Sequence, residues 1–584
     1  MLRLGLTVLV ASVVALALIC GYGQRSQAQT SQRWLIRILP DGSISPHGAP
    51  VRRVDRVYYL TEDLEAWGSD GIVIEASGII LNGNGHRLKG DGARDTRGVI
   101  VRGSRVTVLN LTVEAFQLGV MVAGAEGVEV RNVTVLKCSE GVSVVNSTGV
   151  SVIGNLLVDT VTGVNLLFSH SVEVAENRVV GGVWGIYVMN SSSVTVARNT
   201  VVNSSWGLML LYSGGAKVVE NELWGCGVYV RASFRNTISN NSVNGRPLVY
   251  LEEVEGGEVR EAGQVVLVRS RGVRVANLSI SRSSVGVLLY ESSGTTVENC
   301  TLSRNIWGIM LHTSHNNTIR GNWVEGSDVG IYLYESRGNL VAENALLRNG
   351  LGLWLACSAH NTVQGNCFIA NRAQASAGCG ENRWTSDKGG NYWSDGSDED
   401  RDGDGYADDP YMVGPGNIDE RPLTACQLES VLRLPAPFCT LELLSQPSEV
   451  LAGEYFLVAI KAESPLPLKA VRFEIRAGEQ RETGYFAWDR SSGPWDAVRK
   501  VFRTRVRLPG TATIEAFLKD SAGRQTSCAT TVNVVERGPQ SEVGNPELAP
   551  QLNLPTLAAI AAMLAAAGLV AALVNARKRR ATAS

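Results

Sequence analysis

The chain has 584 residues and nearly balanced charge, with 54 basic and 56 acidic side chains. Its length predicts several domains. The charge balance gives no indication of a nucleic-acid partner, which would need a basic face.

The N-terminus has the pattern of a secretory signal peptide over residues 1–28. A basic residue precedes an apolar segment from Leu4 to Ile19, and a small-x-small site follows at Ser26 to Ala28. We expect cleavage after Ala28, and an uncleaved N-terminal anchor is the alternative.

A repeat of about 22 residues fills residues 71–385, and its clearest copy runs from Gly185 to Trp206. Each copy holds three period-2 runs of Val, Ile and Leu broken by Gly, Ser and Asn, which predicts three strands and three turns. One copy cannot bury an apolar face alone, so the copies must stack. The sequence predicts an all-β protein built on a parallel β-helix of about 13 coils. We expect residues 29–70, with a short helix from Thr61 to Trp67, to cap its first coil.

Two polar positions recur in the coils and are expected to form structural ladders, because stacked amides and hydroxyls hydrogen-bond along the repeat axis. The expected Asn ladder consists of Asn155, Asn177, Asn199, Asn221, Asn241, Asn277, Asn299, Asn322, Asn344 and Asn366. The expected Ser ladder consists of Ser147, Ser169, Ser191, Ser213, Ser233, Ser270, Ser292, Ser314, Ser336 and Ser358. N-x-Ser/Thr sequons are frequent and predict a glycoprotein if the host modifies them, least of all at Asn277 and Asn299 as ladder residues.

The repeat is interrupted between Asn241 and Gly263, and insertions in solenoids often mark the binding face. The intervening sequence predicts a hairpin that pairs Leu248 to Leu251 with Glu258 to Arg260. If the solenoid is catalytic, the first carboxylates to test are Glu252, Glu253 and Glu255.

Aromatic side chains recur near the coil glycines, and two interpretations stay open. They form a core or surface ladder, or they form a row on which sugar rings stack. The residues are Trp184, Trp206, Trp224, Trp307, Tyr187, Tyr229 and Tyr332.

The junction at 386–424 contains alternating carboxylates followed by glycine, which is typical of Ca²⁺ loops. An acidic solvated loop is the alternative. The expected ligands, with a structural role, are Asp398, Asp400, Asp402, Asp404, Tyr406, Asp408 and Asp409.

Residues 427–537 contain regularly spaced strand patterns that predict an immunoglobulin-like β-sandwich. Cys439 and Cys528 lie near its two ends and are the expected disulfide. Cys357, Cys367 and Cys379 cluster at the end of the solenoid, where two of the three are candidates for another bridge.

The C-terminus predicts a membrane anchor. After a Pro-containing linker at 538–553, residues 554–575 are apolar enough to span a bilayer. The basic tail at 576–584 is expected in the cytoplasm, which places the bulk of a single-pass chain outside the cell.

Catalysis and copper binding have little support in the sequence. The acidic residues of the coils are scattered singly, so we assign no catalytic residue, and enzyme activity stays uncertain with a non-catalytic role favoured. Met310 and His312 fall on one face of a strand, with His315 and His360 nearby in the coil order, and are the copper candidates.

Three segments together resemble the NosD-type proteins, which are also described as carbohydrate-binding and sugar-hydrolase (CASH) repeats or PbH1 repeats. They are LTEDLEAWGSDGIVIEASGIILNGNGHRL, the insertion NGRPLVYLEEV…AGQVVLV, and the closing GNYWSD…DRDGDGYADDPY…DERPL. The resemblance covers about residues 58–424 and implies a right-handed β-helix, inferred carbohydrate binding and, for the founding family, periplasmic copper delivery. The tethered form with a sandwich is similar to archaeal surface proteins of this group.

The expected protein is therefore a membrane-anchored surface β-helix that binds extracellular polysaccharide or glycan without turning it over. A polysaccharide lyase or glycoside hydrolase, a copper delivery protein and a structural envelope component are the alternatives. The sequence leaves the oligomeric state open.

Overall fold

The computed structural model describes residues 34–387, 389–443, 449–452, 455–487, 496–507 and 509–536. The expected signal peptide at 1–28, the linker at 538–553, the membrane helix at 554–575 and the basic tail lie outside these residues. The helix found within them is Glu429–Leu432. In this described part, no helix has the length and apolarity that a bilayer crossing requires.

Residues 34–393 form a parallel β-solenoid, and the described chain makes about 15 turns. Successive coils pair in parallel at a spacing of 22 residues, as for Val142, Val164 and Ile186. The side chains that point inward are fully buried Val, Leu and Ile. The predicted parallel β-helix is confirmed.

The first half of the solenoid has two sheets of its own, each described from one edge strand to the other. Sheet 1 contains Ile44–Ser45, Ile36–Ile38, Ile72–Ile74, Arg97–Val101, Leu118–Ala123, Glu140–Val145, Thr162–Leu167, Trp184–Met189, Trp206–Leu211 and Val228–Arg231. Sheet 2 contains Thr237–Ser239, Lys217–Val219, Thr195–Ala197, Glu173–Ala175, Ser151–Ile153, Glu129–Arg131, Thr107–Leu109, Ile80–Asn82, Val57–Leu60 and Val51–Val54.

A third sheet runs through both halves. Sheet 3 contains Ala373–Ala377, Leu351–Ala356, Val329–Tyr334, Trp307–His312, Val285–Tyr290, Gln264–Val268, Arg246–Glu252, Ser242–Val243, Glu222–Trp224, Thr200–Val202, Arg178–Val180, Leu156–Val158, Thr134–Leu136, Thr112–Glu114, Arg87–Lys89 and Leu64–Glu65.

Two further sheets complete the second half. Sheet 4 contains Glu258–Val259, Arg274–Ala276, Thr296–Glu298, Thr318–Arg320, Leu340–Ala342 and Thr362–Gln364. Sheet 5 contains Ser279–Ser281, Thr301–Ser303, Trp323–Glu325, Ala345–Leu347, Cys367–Ile369 and Tyr392–Trp393.

The solenoid begins earlier than the repeat predicts. Ile36–Ile38, Val57–Leu60 and Leu64–Glu65 pair in parallel with the next coil, so the stretch expected to be a separate cap contains a coil of its own. The short helix expected from Thr61 to Trp67 is wrong, because a strand lies there. The open edge is covered by antiparallel partners at Ile44–Ser45 and Val51–Val54.

The insertion does not form the predicted hairpin. Ser242–Val243 turns back at Asn244 and Gly245, whose φ angles are 51° and 75°, and pairs antiparallel with Arg246–Pro247. Leu248 to Glu252 then pairs in parallel with Gln264–Val268. An Asn-Gly pair with positive φ at both residues is the type I′ hairpin turn. This turn connects the strands that sheet 3 has in the first half to the strands that it has in the second half.

The ladders form as hydrogen-bonded columns, with one correction. Asn155 donates from its backbone N and its Nδ2 to Oδ1 of Asn177 at 2.9 Å, and the pattern repeats through Asn241. It resumes at Asn322 and continues through Asn366 to Asn391. The Ser ladder is present in both halves, where each Oγ accepts the backbone N–H of the Ser one coil before.

Asn277 and Asn299 are not ladder residues. Both are exposed and have φ near 55°, and the ladder position beside Asn299 is taken by Cys300, whose N donates to Oδ1 of Asn322. Asn suits the left-handed backbone as well as the buried amide position, so residue type alone does not separate the two. The two sequons are consequently exposed, contrary to the expectation.

The closing motif supplies the last acceptors of two columns of stacked Asn side chains. One is the ladder that reaches Asn391, and the other runs through Asn317, Asn339, Asn361 and Asn382. Asn417 Oδ1 accepts both N–H groups of Asn382, and Asp419 Oδ2 accepts those of Asn391. The indole of Trp393 also donates to Asp419, at 2.9 Å. Burial raises the pKa of Asp419 and outweighs these hydrogen bonds. A Cβ on Gly390 would lie 1.7 Å from Asp419 Oδ1, so only glycine fits there.

Beyond the solenoid the described chain forms three antiparallel or mixed sheets. The strands are Tyr411–Gly414 with Asn417–Asp419; then Phe438–Leu443, Tyr455–Ser464 and Asp496–Arg505; then Glu449–Leu451, Gln525–Val535, Gly510–Asp520, Leu468–Ala477 and Gln480–Ala487. The last two sheets share an apolar core. Their immunoglobulin-like topology stays a prediction.

Two disulfides are present among the described residues. Cys439 is bonded to Cys528, the expected pair. Cys367 is bonded to Cys426 and ties the last coils to the segment that follows, so it does not bridge to Cys357 or Cys379.

Candidate functional site

The two halves of the solenoid meet at an elbow, which we define as the contact of strand Val228–Arg231 with the outer face of Gln264–Val268 and Val285–Tyr290. The last coil of the first half has no following strand in register, so its backbone groups need other partners. Gln264 accepts from Val228 N at 2.8 Å and donates to Val228 O at 2.6 Å. Ser284 Oγ accepts from Gly227 N at 2.8 Å.

Glu252 completes this closure. Its carboxylate accepts the backbone N–H groups of Arg235 and Asn236, at 2.5 and 3.0 Å, and the hydroxyl of Tyr250 at 2.7 Å. The carboxylate that the sequence placed first for catalysis is therefore held by structural hydrogen bonds. Glu253 and Glu255 beside it are exposed.

Aromatic rings from both halves line the elbow in two rows, which together we call the aromatic seam. The first row is linked by ring-centroid distances of 5.4 Å for Trp206–Tyr229, 4.8 Å for Trp206–Trp307, 5.3 Å for Trp307–Tyr332 and 4.7 Å for Tyr332–Trp354. The last pair is stacked. Trp206, Trp307 and Trp354 are only partly buried, so these three side chains of the row are partly accessible to solvent.

The second row lies at the ends of the same strands. Its centroid distances are 6.0 Å for Phe234–Tyr290 and 4.9 Å for both Tyr290–His312 and His312–Tyr334. His312 is buried, and its Nδ1 has no hydrogen-bond partner among the described residues. Burial, and to a smaller extent the charge of Arg231, lowers the pKa of His312 from 6.5 to about 4.

Arginines lie at both margins of the seam. Arg231 is the last residue of its strand, and its charge acts against the burial that raises the pKa values of Tyr229 and Tyr332. At the opposite margin a cavity of about 330 Å³ lies beside Trp206 and Trp307. The cavity is lined by Asn203, Ser204, Ser205, Gly225, Arg282, Ser283, Arg304 and Ile306.

The structure brings together only some of the aromatic residues singled out in the sequence. Trp206, Tyr229, Trp307 and Tyr332 meet in the seam, whereas Trp184 lies one coil earlier and contacts Tyr187 of its own strand at 6.0 Å. Trp224 lies on sheet 3, away from the ring contacts of the seam, and is 43% exposed. Sequence reasoning missed Arg231, Tyr290, Tyr334 and Trp354, because the elbow that joins them is not visible in the repeat. The Asn244–Gly245 turn was the available signal.

The acidic junction brings three of the predicted metal ligands together. Carboxylate oxygens of Asp400, Asp402 and Asp404 lie within 4.8 Å of one another. Asp398 is instead engaged by Lys469 and Lys519 of the C-terminal sheets. Asp408 accepts the backbone N–H of Arg401, and Asp409 is exposed. Tyr406 lies under the guanidinium of Arg421, 4.1 Å from its ring centroid.

The copper candidates of the sequence do not converge. Met310 contributes to the buried face of the elbow, and His312 is enclosed by tyrosine rings in the second row. His315 accepts the backbone N–H of Arg337, and His360 is exposed. A different soft pair exists at the end of the solenoid, where the Sγ atoms of the exposed Cys357 and Cys379 lie 3.2 Å apart.

Several solved structures are similar to this chain at low identity. DFA-IIIase from Arthrobacter chlorophenolicus A6 without its lid matches at 13% identity, with a TM-score of 0.28, over 50% of this chain and 85% of that chain. A mutant of the periplasmic alginate epimerase AlgG matches at 16% identity, with a TM-score of 0.21, over 57% and 79%. The PKD domain of an M14-like peptidase from Thermoplasmatales archaeon SCGC AB-540-F20 matches at 15% identity, with a TM-score of 0.14, over 17% and 97%. No curated protein matches the chain.

The in-register coils, the amide columns and the closing motif define a parallel β-helix protein. The profile of the family described as periplasmic copper-binding protein (NosD) matches residues 64–225, 146–249 and 225–397. These matches cover more than half of the chain, and the protein belongs to the NosD family, as the resemblance of its sequence implied.

The buried imidazole of His312 makes the free energy of unfolding depend on pH. Unfolded histidine takes up its proton near pH 6.5, whereas folded His312 does so only near pH 4, so the folded state loses stability as the pH falls between these values. We expect the free energy of unfolding to drop by about 2 kcal/mol more between pH 7 and pH 5 in the wild type than in His312→Phe. Denaturant unfolding followed by tryptophan fluorescence measures this difference.

The exposed His47 supplies the control, because His47→Gln should keep the wild-type pH dependence. Equal pH slopes for the wild type and His312→Phe would show that His312 is not buried as a neutral ring.

Proposed function

We propose that the protein binds extracellular polysaccharide or glycan without turnover, and that the aromatic seam is the binding surface. The observation that carries this proposal is the row of ring contacts from Trp206 to Trp354, which crosses between the two halves of the solenoid. Partly exposed aromatic rings suit the apolar faces of sugar rings. Their rigid attachment to strands limits the entropy lost on binding.

A location outside the cytoplasm supports this ligand class. The described chain contains two disulfides, which persist in oxidising compartments. The family is described as periplasmic. A single-pass anchor at 554–575 with a cytoplasmic tail at 576–584 remains our proposal for the C-terminus, and the exposed Asn277 and Asn299 are proposed glycosylation sites.

The hydrogen bonds of Glu252 support a non-catalytic role. Its carboxylate oxygens accept two backbone N–H groups and one hydroxyl, so its hydrogen bonds serve to close the edge of the first half. A polysaccharide lyase or glycoside hydrolase would need other carboxylates at the seam.

We expect Trp354→Ala to weaken glycan binding about tenfold or more, because an aromatic anchor at a binding surface contributes more than about 1.4 kcal/mol. The measurement is affinity electrophoresis of the full-length protein in gels that contain members of a panel of acidic and neutral polysaccharides. The same gels, assayed for released reducing ends, test for turnover.

Trp224→Ala is the matched control, since Trp224 is an exposed tryptophan outside the seam. Equal losses for Trp354→Ala and Trp224→Ala, or no retardation by any polymer in the panel, would contradict the proposal.

A second candidate function is copper binding, favoured by the stacked thiols of Cys357 and Cys379. Two thiolates are soft donors that suit Cu(I). We expect the reduced protein to bind one Cu(I) that a chelator competes for, and Cys357→Ser to abolish this binding. Met310→Leu should retain it. Loss in Met310→Leu with retention in Cys357→Ser would refute the assignment.

We also propose that Asp400, Asp402 and Asp404 hold a structural Ca²⁺ between the solenoid and the C-terminal sheets. Calcium at a hundredfold excess over its dissociation constant would stabilise the folded state by about 2.7 kcal/mol. We expect EGTA to lower the thermal unfolding temperature of the wild type and of Asp387→Asn, but not of Asp402→Asn. An unfolding temperature that EGTA leaves unchanged in the wild type would exclude the site.

A further inference from the structure

Three arginines at the elbow have no counter-charge among the described residues. Neither Arg231, Arg282 nor Arg304 forms an ion pair or a side-chain hydrogen bond with any residue in that part of the chain. Several other arginines of the second half are paired, for example Arg269 with Glu291 at 2.9 Å and Arg348 with Glu325 at 2.9 Å. The three unpaired guanidinium groups therefore remain available to a ligand.

These arginines lie at opposite margins of the aromatic seam. Arg282 and Arg304 lie one coil apart and line the cavity that adjoins the strand starts at Trp206 and Trp307. Arg231 lies at a strand end. The strands of the seam have up to six residues, which at about 3.3 Å per residue separates the two margins by about 20 Å.

The cavity adds uncharged hydrogen-bonding groups to this arrangement. Asn203 and Ser205 contribute from the first half, and Ser283 contributes from the second. The cavity margin thus combines positive charge with polar groups, and the aromatic rings lie between it and Arg231.

We infer that the glycan bound at the seam is a carboxylated polysaccharide, whose acid groups are neutralised by Arg231 at one margin and by Arg282 and Arg304 at the other. The inference rests on the proposed function of the seam and adds the substrate class. Guanidinium groups bind carboxylates through paired N–H donors in a fixed fork. A neutral polymer would stack on the same rings but would leave these charges uncompensated.

An acidic side chain, Glu335, lies at the rim of the seam beside Tyr334. Glu335 is exposed and has no ion pair within the described residues. Burial is the main reason that the pKa of Tyr334 is raised, and the charge of Glu335 raises it further. Its carboxylate would repel an acidic chain, so its removal should act in the opposite direction from removal of an arginine.

The test compares polygalacturonate with the same polymer after its carboxyl groups have been reduced, using the full-length protein. We expect wild-type affinity for polygalacturonate to exceed that for the reduced polymer about tenfold or more and to fall with added salt. The variant Arg231→Gln/Arg282→Gln/Arg304→Gln should lose this preference and keep its affinity for the reduced polymer. Glu335→Gln should bind polygalacturonate at least as tightly as the wild type.

The outcomes separate this inference from the function it rests on. Equal binding of the two polymers by the wild type overturns the substrate class and leaves glycan binding intact. Binding of neither polymer, nor of any other in the panel, overturns the proposed function itself. A triple variant that unfolds at a lower temperature is replaced by the single variants Arg282→Gln and Arg304→Gln, and unchanged acid preference in both contradicts the role of the cavity.

Discussion

Buried backbone and amide groups in this protein find their partners one coil away, and this constraint governs the architecture. An Asn at the ladder position donates two N–H groups to the Asn of the next coil and a further one to a carbonyl of the coil before. Each coil therefore needs a neighbour on both sides, and a column that simply stopped would leave buried donors unpaired. The ends and the interruption of the solenoid are where this requirement is met by special residues.

At the C-terminal end of the solenoid, a carboxylate accepts the last hydrogen bonds of the Asn ladder. Asp419 accepts the final pair of N–H groups from Asn391, and Asn417 does the same for the column that ends at Asn382. The energy of removing the Asp419 carboxylate from water raises its pKa, and the donors around it offset that energy only in part. The closing motif thus belongs to the fold of the coils, and its position after them follows from their need for a terminal acceptor.

At the elbow, the need to pair buried backbone groups gives rise to the aromatic seam. Gln264, Ser284 and Glu252 replace the strand that would have followed Val228–Arg231, and they do so from the outer face of the second half. That geometry packs the open edge of the first half against the outer face of the second half, so rings from both halves meet as the aromatic seam. Within the described chain, the arginines at the margins of this seam have no acid partner. The aromatic seam is thus a consequence of how the repeat was interrupted.

The sequence by itself determined the parallel coils, the Ser ladder, most of the Asn ladder and the pairing of Cys439 with Cys528, because these depend on a regular spacing or on few alternatives. It misassigned Asn277 and Asn299, since Asn fits a left-handed turn as well as a buried amide position. Only the tertiary structure decided that the insertion reverses at Asn244, that Glu252 closes an edge, and that Trp354 and Arg231 share one surface. Those relations join residues that are far apart along the chain, and no local period or motif records how the two halves of the solenoid will meet.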